Sequence, residues 1–100
     1  MLLGQKENVL LKRKQKKFTF EISAPQARQV SLTGDFFAWD PLGIPMTKEK
    51  NGIWKTEVSL TSGRYEYKFI VDGEWCTDPA NTQTVSNGYG SLNSVKQLTV

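Results

Sequence analysis

The fold of this chain is decided by residues 65–75, which read Tyr-Glu-Tyr-Lys-Phe-Ile-Val-Asp-Gly-Glu-Trp. Its first seven residues place three aromatic rings and a valine at alternate positions, the period-two pattern of a β-strand with one face in a core. The dipeptide Asp72-Gly73 then predicts a two-residue type I′ hairpin, because glycine accepts the positive φ that this turn requires. The stretch therefore predicts a buried strand that turns back on itself.

The predicted hairpin also determines which side chains share a face. It pairs Ile70 with Trp75, so Lys68 becomes the diagonal neighbour of Trp75 on the face away from the tyrosines. An indole ring and a cationic donor are thus expected side by side on the outer face. The same pairing puts Cys76 opposite Phe69, on the core side, where a buried inert thiol is expected.

Similar alternation recurs along the rest of the chain. Phe18, Phe20 and Ile22 mark a first strand from Lys17, which Pro25 closes. Further strands are predicted at 29–34, 54–60, 82–85 and 91–100, with a short segment at 45–47 and a second type I′ signal at Asn51-Gly52. No long amphipathic helix is predicted. The pattern indicates an all-β protein, an immunoglobulin-like antiparallel β-sandwich of about seven strands.

Length and composition narrow the classes further. One hundred residues with 38% apolar content suit one domain. A single cysteine excludes an internal disulfide framework and a cysteine-built zinc site, and the absence of histidine removes the commonest general base and metal ligand. We therefore expect no cofactor and no metal. The sequence contains no run of about 18 apolar residues, the length that a membrane span needs. A cytoplasmic location is expected.

Positive charge is concentrated near the start of the chain. Five basic residues lie within positions 12–17, whereas the rest carries eight basic and ten acidic residues, a balance of −2. We predict a flexible basic arm over residues 1–16 and a β-sandwich domain over 17–100. The arm either tethers the domain to an acidic surface or is a solvated segment that discourages another chain from pairing with the sheet edge. Nucleic-acid binding is not expected, because stacking platforms for bases usually lie inside a basic groove.

One loop carries unusual aromatic content. The segment from Asp35 to Pro41 reads Asp-Phe-Phe-Ala-Trp-Asp-Pro and follows the second predicted strand. Aromatic residues in a loop are more informative than those in a strand, because a loop has less core to fill. We expect Phe36 in the core and Trp39 at the surface.

The ordered set of these motifs resembles a known family. The motifs are Leu32-Thr33-Gly34-Asp35-Phe36, Trp39, Asn51-Gly52-Ile53-Trp54, residues 63–75 and Asp78-Pro79. Together they look like the family 48 carbohydrate-binding modules, which include the glycogen-binding domain of the AMP-activated protein kinase β subunit and the N-terminal domains of isoamylases and branching enzymes. The resemblance covers roughly residues 17–100.

The resemblance implies a set of sugar-binding residues. By motif position, the set consists of Trp39, Lys68, Trp75, Tyr89, Ser91 and Asn93. Tyr89 stands where the family has an apolar residue, and Ser91 where it has a threonine. The implied function is non-catalytic binding of α-1,4-linked glucans such as glycogen, starch and maltooligosaccharides.

The residues themselves also suggest other functions. A protein-interaction or regulatory module would use the same aromatic surface or the basic arm, within a larger enzyme or kinase complex. An enzyme would need a carboxylate pair from Asp72, Glu74 and Asp78. A shallow site offers little to raise the pKa of one carboxylate, so no catalysis is expected.

Overall fold

The computed structural model describes residues 14–100, and within this range the chain forms nine strands and one short 3-10 helix. The strands are β1 (Lys16–Ser23), β2 (Val30–Gly34), β3 (Ile44–Pro45), β4 (Thr47–Lys48), β5 (Ile53–Leu60), β6 (Gly63–Val71), β7 (Glu74–Cys76), β8 (Thr84–Ser86) and β9 (Leu92–Leu98). The 3-10 helix spans Asp35–Phe37. Seven strands have three or more residues, in agreement with the predicted number, and β3 and β4 are two-residue additions.

The strands form two antiparallel sheets. One sheet has the order β1-β5-β4. The other has the order β3-β2-β6-β9-β8, and β7 pairs with the end of β6. Strand β6 therefore lies in the middle of the larger sheet, between β2 and β9. The predicted class, an all-β sandwich of antiparallel strands, is confirmed.

The core lies between the two sheets and follows the predicted alternation. From the smaller sheet it receives Phe20 and Ile22 of β1 and Trp54 and Leu60 of β5. From the larger sheet it receives Val30, Leu32, Tyr67 and Phe69. The rings of Phe20 and Tyr67 meet edge to face with their centroids 5.2 Å apart, an arrangement that adds to the gain from apolar burial. Period-two patterning predicted these core positions because one face of each sheet is buried.

The β6–β7 hairpin forms in the predicted register. Val71 pairs with Glu74, and Ile70 pairs with Trp75. Asp72 and Gly73 both have positive φ, at 48° and 85°, as a type I′ turn requires. The prediction from the Asp-Gly dipeptide is confirmed.

The second predicted type I′ turn, at Asn51-Gly52, is wrong. Only Gly52 has positive φ there, at 81°, and the amide of Gly52 donates to the carbonyl of Glu49 at 3.0 Å. The connection is thus a type I turn closed by a left-handed glycine. The side-chain Oδ1 of Asn51 accepts the amide of Ile53 at 3.1 Å. Because the amide of Glu49 donates to the carbonyl of Ile53, the loop contains three residues, one more than predicted.

Three further expectations concern the basic arm, the thiol of Cys76 and membrane spans. Most of the predicted arm over 1–16 lies outside the described residues, so that boundary stays a prediction. Cys76 is half-buried against the core, and its burial, followed by the charge of Asp78, raises the pKa of its thiol. Among residues 14–100, no helix has the length and apolar character needed to cross a membrane.

Candidate functional site

A groove of about 700 Å³ lies over the outer face of the larger sheet. Its lining contains all six residues that the resemblance implied, and three that it did not. The lining consists of Trp39, Glu66, Lys68, Trp75, Ser86, Asn87, Tyr89, Ser91 and Asn93. Residues separated by up to 54 positions in the chain therefore meet at one concave surface.

Trp75 is presented by the β6–β7 hairpin, and the hairpin is tied to the rest of the fold. Oδ1 of Asp72 accepts the amides of Arg28 and Gln29, both at 2.9 Å, and the amide of Asp72 donates to the carbonyl of Gln29. These bonds hold the turn against the segment before β2. Trp75 is 44% exposed. A large apolar ring is thus available to a ligand on a rigid support.

Trp39 is presented by a strained loop. Ala38 and Trp39 both adopt left-handed φ angles, 52° and 53°, which residues with a side chain rarely do. The amide of Trp39 donates to the carbonyl of Gly34 at 2.9 Å, and the hydroxyl of Thr33 donates to the carbonyl of Asp40. These bonds offset the strain and direct the half-buried indole of Trp39 into the groove.

Glycine at position 34 brings this loop close to β6. A Cβ atom there would lie 2.5 Å from the carbonyl oxygen of Glu66 and 2.5 Å from the ring of Phe36. The Phe36 ring packs on Phe20 and Tyr65, as expected for a core residue of the loop. Any larger residue at position 34 would separate the Trp39 loop from the groove floor.

Lys68 lies on the same face as Trp75, as the predicted register requires, and it is largely buried. It is only 8% exposed, and Ile70 on the same face is equally buried. The groove walls around Trp39, Trp75 and the β8–β9 loop enclose Lys68 at this part of the sheet. The ammonium of Lys68 donates to the Ser91 hydroxyl oxygen at 3.1 Å. Lys68 therefore lies at the groove floor rather than at its rim.

Asn87 organises the loop between β8 and β9. Its Oδ1 accepts the amides of Tyr89, at 2.8 Å, and Ser91, at 3.4 Å, while its own amide donates to the carbonyl of Ser91. With Oδ1 oriented by backbone donors, Nδ2 of Asn87 donates to the hydroxyl of Ser91. Tyr89 is 93% exposed at the tip of this loop.

The surroundings of Ser91 determine the polarity of its hydroxyl. A hydroxyl has two acceptor lone pairs and one donor hydrogen. Both Lys68 and Asn87 donate to this oxygen. Within residues 14–100 the Ser91 hydroxyl donates to no protein acceptor, so its hydrogen is available to a ligand oxygen.

Asn93 and Glu66 form the other half of the groove floor. Asn93 is 6% exposed, and its Nδ2 donates to Oε1 of Glu66 at 3.0 Å. The guanidinium of Arg64 donates to Oε2 of Glu66 at 2.9 Å. The hydrogen bond from Asn93, followed by that from Arg64, lowers the pKa of the Glu66 carboxyl below its ordinary value of 4.5. The groove thus holds an ionised carboxylate as a hydrogen-bond acceptor.

Two of the three carboxylates that could serve catalysis, Asp72 and Asp78, make structural hydrogen bonds elsewhere. Asp72 accepts two backbone amides in its turn, and Asp78 is 7% exposed and accepts the hydroxyl of Tyr67 at 2.7 Å. Among residues 14–100, no cluster of three or more acidic, histidine or cysteine side chains is arranged to hold a metal ion. The groove itself offers indole rings for stacking and polar side chains for hydrogen bonding.

Sequence reasoning missed Glu66, Ser86 and Asn87. Glu66 was within reach, because period-two alternation puts it on the same face as Lys68, two residues away. Asn87 precedes a glycine, a common turn signal, and an Asx turn was predictable from that pair. Only the folded loop brings the Asn87 amide to Ser91.

Comparison with known proteins adds independent information. The chain is 43% identical over 63 residues to "Protein PTST homolog 2, chloroplastic" of Arabidopsis thaliana, covering 63% of this chain and 12% of that protein. It is 40% identical over 63 residues to "Protein FLOURY ENDOSPERM 6, chloroplastic" of Oryza sativa subsp. japonica, again covering 63% and 12%. It is 34% identical over 71 residues to the 5′-AMP-activated protein kinase subunit beta-1 of Sus scrofa, covering 71% of this chain and 55% of that protein.

The chain therefore spans between about one eighth and about half of the length of these relatives. The family comparison covers more of the chain, since the match extends over residues 17–99. This match includes every strand from β2 to β9, nearly all of β1 and the whole groove. The chain belongs to the family described as the glycogen recognition site of AMP-activated protein kinase.

Proposed function

We propose that this domain binds α-1,4-linked glucans in the groove between Trp39 and Trp75. The observation that carries the proposal is the convergence of two indoles and a set of polar groups on one concave surface. A glucose ring has apolar C–H faces and a belt of hydroxyls. Indoles offer wide, rigid apolar area at low cost in side-chain entropy, so they suit the faces of successive sugar rings.

The polar groups suit the hydroxyl belt. Lys68 and the Ser91 hydroxyl are donors, and Oδ1 of Asn93 is an acceptor. A sugar hydroxyl donates and accepts, so it can bridge both kinds of group. Affinity should be on the order of micromolar to millimolar, because such a groove replaces water that is already hydrogen-bonded.

The test is intrinsic tryptophan fluorescence during titration with maltoheptaose and β-cyclodextrin, with cellohexaose as the β-linked comparison. Trp54→Phe is the matched background, because Trp54 is 7% exposed in the core and its indole donates to the carbonyl of Ala24. In this background the groove indoles alone report binding. We expect saturable changes with the α-glucans and none with cellohexaose.

Trp75→Ala supplies the decisive variant. Its α-glucan response should disappear while its circular dichroism spectrum stays that of the parent, because Trp75 lies at the surface. A flat titration of the Trp54→Phe protein up to about ten millimolar sugar, beyond the weak end expected of such a groove, would falsify the proposal.

We also propose that the domain contributes recognition and no catalysis. The proposal is supported by the structural hydrogen bonds of Asp72 and Asp78 and by the absence of histidine. Incubation of maltoheptaose with the protein should release no reducing ends. Appearance of maltose or glucose above the level of a Trp75→Ala control would contradict it.

The wider context is a separate proposal. A protein partner, a parent enzyme or a kinase complex is supported by the similarity to kinase β-1 subunits, and the same aromatic surface or the basic arm would make the contact. A cytoplasmic location remains our proposal, although two of the relatives are named as chloroplastic. Fractionation of cells that express the full-length protein tests the cytoplasmic location. Proteins that co-purify with it and are displaced by maltoheptaose test the proposal of a partner.

A further inference from the structure

The carboxylate of Glu66 lies under the groove and contacts the most buried of its polar groups. Its side chain is 26% exposed, and its two oxygens accept from Asn93 and from Arg64. The backbone amide of Glu66 donates to Oδ2 of Asp35 at 3.2 Å, which ties this part of β6 to the 3-10 helix. The carboxylate is thus held by Asn93 from β9 and by Arg64 from its own strand.

The orientation of the Asn93 amide follows from its two neighbours. A carboxylate only accepts, so the NH₂ group of Asn93 must face Glu66. On the other side, the NH₂ group of Asn87 approaches Oδ1 of Asn93 at 3.5 Å, and Asn87 is itself oriented by the amides of Tyr89 and Ser91. The long Asn87 contact contributes little. Glu66 is therefore the main constraint on which edge of the Asn93 amide faces the ligand.

This constraint matters because an amide has two opposite edges. Rotation of Asn93 by a half turn would exchange donor and acceptor at a position that is 94% enclosed, where water cannot easily compensate. Hydrogen bonds to an ionised acceptor are roughly twice as strong as those between neutral groups. The ionised carboxylate is thus well suited to keep a single orientation.

We propose that Glu66 is a positioning residue for glucan recognition, which fixes the amide of Asn93 so that one donor and one acceptor edge meet the sugar hydroxyls. The inference rests on the proposed α-glucan binding and adds to it a residue outside the set that the family resemblance implied. Glu66 acts through Asn93.

The first experiment compares two substitutions of Glu66 by calorimetric titration of the full chain with maltoheptaose. Glu66→Ala should raise Kd about tenfold, the size expected when a charge-assisted hydrogen bond is lost. Glu66→Gln should stay within about threefold of the parent, because the glutamine carbonyl still accepts the Asn93 amide. Glu57→Ala, which removes an exposed carboxylate from β5 in the other sheet, is the matched control and should bind like the parent.

The second experiment is a double-mutant cycle with Asn93→Ala, or Asn93→Ser if the alanine variant does not fold. If Glu66 acts through Asn93, the double variant should bind like the Asn93 variant alone. In the ligand-free parent, the two side-chain amide protons of Asn93 should give resolved NMR signals, and Glu66→Ala should shift them together. This spectroscopic change would not follow from a loss of stability alone.

The outcomes separate the two proposals. Parental affinity in Glu66→Ala, or losses that simply add in the cycle, would overturn the positioning role while Trp75-dependent binding stands. Failure of the parent protein to bind maltoheptaose would overturn the glucan proposal and this inference with it.

Discussion

Two polar networks lie on opposite faces of the same two strands, β6 and β9. On the core side, the hydroxyl of Tyr67 donates to Asp78 and accepts from Asn81, and the amide of Asp78 donates to Ser94. On the groove side, Asn93 donates to Glu66. Asn93 directly precedes Ser94, and Glu66 directly precedes Tyr67. Adjacent residues thus enter networks that differ in one respect, access to solvent.

The core network is closed. Tyr67 is completely buried, and burial, followed by its bond to Asp78, raises the pKa of its phenol. Among residues 14–100, no buried side-chain nitrogen or oxygen lacks a hydrogen-bond partner. The groove network is open, because the Ser91 hydroxyl has a hydrogen and Oδ1 of Asn93 has acceptor capacity beyond what is used inside the protein. A closed network stabilises the fold, whereas an open one leaves capacity for a ligand.

Removal of the central acceptor of the closed network should have the largest effect. Asp78→Ala leaves the Tyr67 hydroxyl hydrogen and the amide of Ala80 without their acceptor, and should lower the free energy of unfolding by about 3 kcal/mol. Urea denaturation measures the loss. The double variant Tyr67→Phe with Asp78→Ala should recover part of it, because the buried hydroxyl is then gone. A loss below about 0.5 kcal/mol would mean that the closed network contributes little.

In the open network, removal of the buried ammonium should affect binding rather than stability. Lys68→Met keeps an unbranched stem at an 8% exposed position and removes the donor, so Kd for maltoheptaose should rise about tenfold. Calorimetric titration measures the change. Because the ligand is neutral, parental affinity should be the same at low and high salt. Strong salt dependence would instead favour a charged partner.

Asn87→Ala should have a smaller effect, since it loosens the loop that carries Tyr89 and Ser91 without removing a ligand group. We expect Kd to rise about fivefold, equivalent to about 1 kcal/mol. Asn51→Ala is the matched control, because its Oδ1 makes the same kind of bond to Ile53 in a turn of the other sheet. The Asn51 variant should bind maltoheptaose like the parent, because its turn joins strands of the other sheet. Equal affinity in the two variants would show that the loop needs no help from Asn87.

The smallest expected effect is on the titration of Glu66. Asn93→Ala should raise the pKa of Glu66 toward 4.5, because the hydrogen bond from Asn93 is the largest single cause of its lowering. The chemical shift of the Glu66 carboxyl carbon, followed in an NMR titration, reports this pKa. Since folding lowers this pKa, the stabilisation is complete above pH 4.5 and is lost as pH falls through the lower folded value. An unchanged pKa of Glu66 in the Asn93 variant would contradict this assignment.

The two Asx-Gly hairpins show how far local sequence reasoning reaches. Asp72-Gly73 and Asn51-Gly52 carry the same type I′ signal, and only the first forms that turn. In the first, the side chain of Asp72 binds amides of another segment, which leaves its backbone free to adopt positive φ. In the second, Asn51 binds the amide two residues on, and Gly52 lies against Pro25. The difference depends on neighbours that are distant in sequence.

By itself, the sequence determined the strands, the core face of each strand and the register that puts Trp75 opposite Ile70. These depend on alternation and on one turn, and both are local. The resemblance added the residues around the groove, and the fold brings them together. Only the tertiary structure decided that Lys68 is buried, that the Ser91 hydroxyl must donate outward and that Glu66 orients Asn93. The reason is physical: hydrogen-bond polarity depends on which donors and acceptors meet across strands and loops, and no local pattern encodes those meetings.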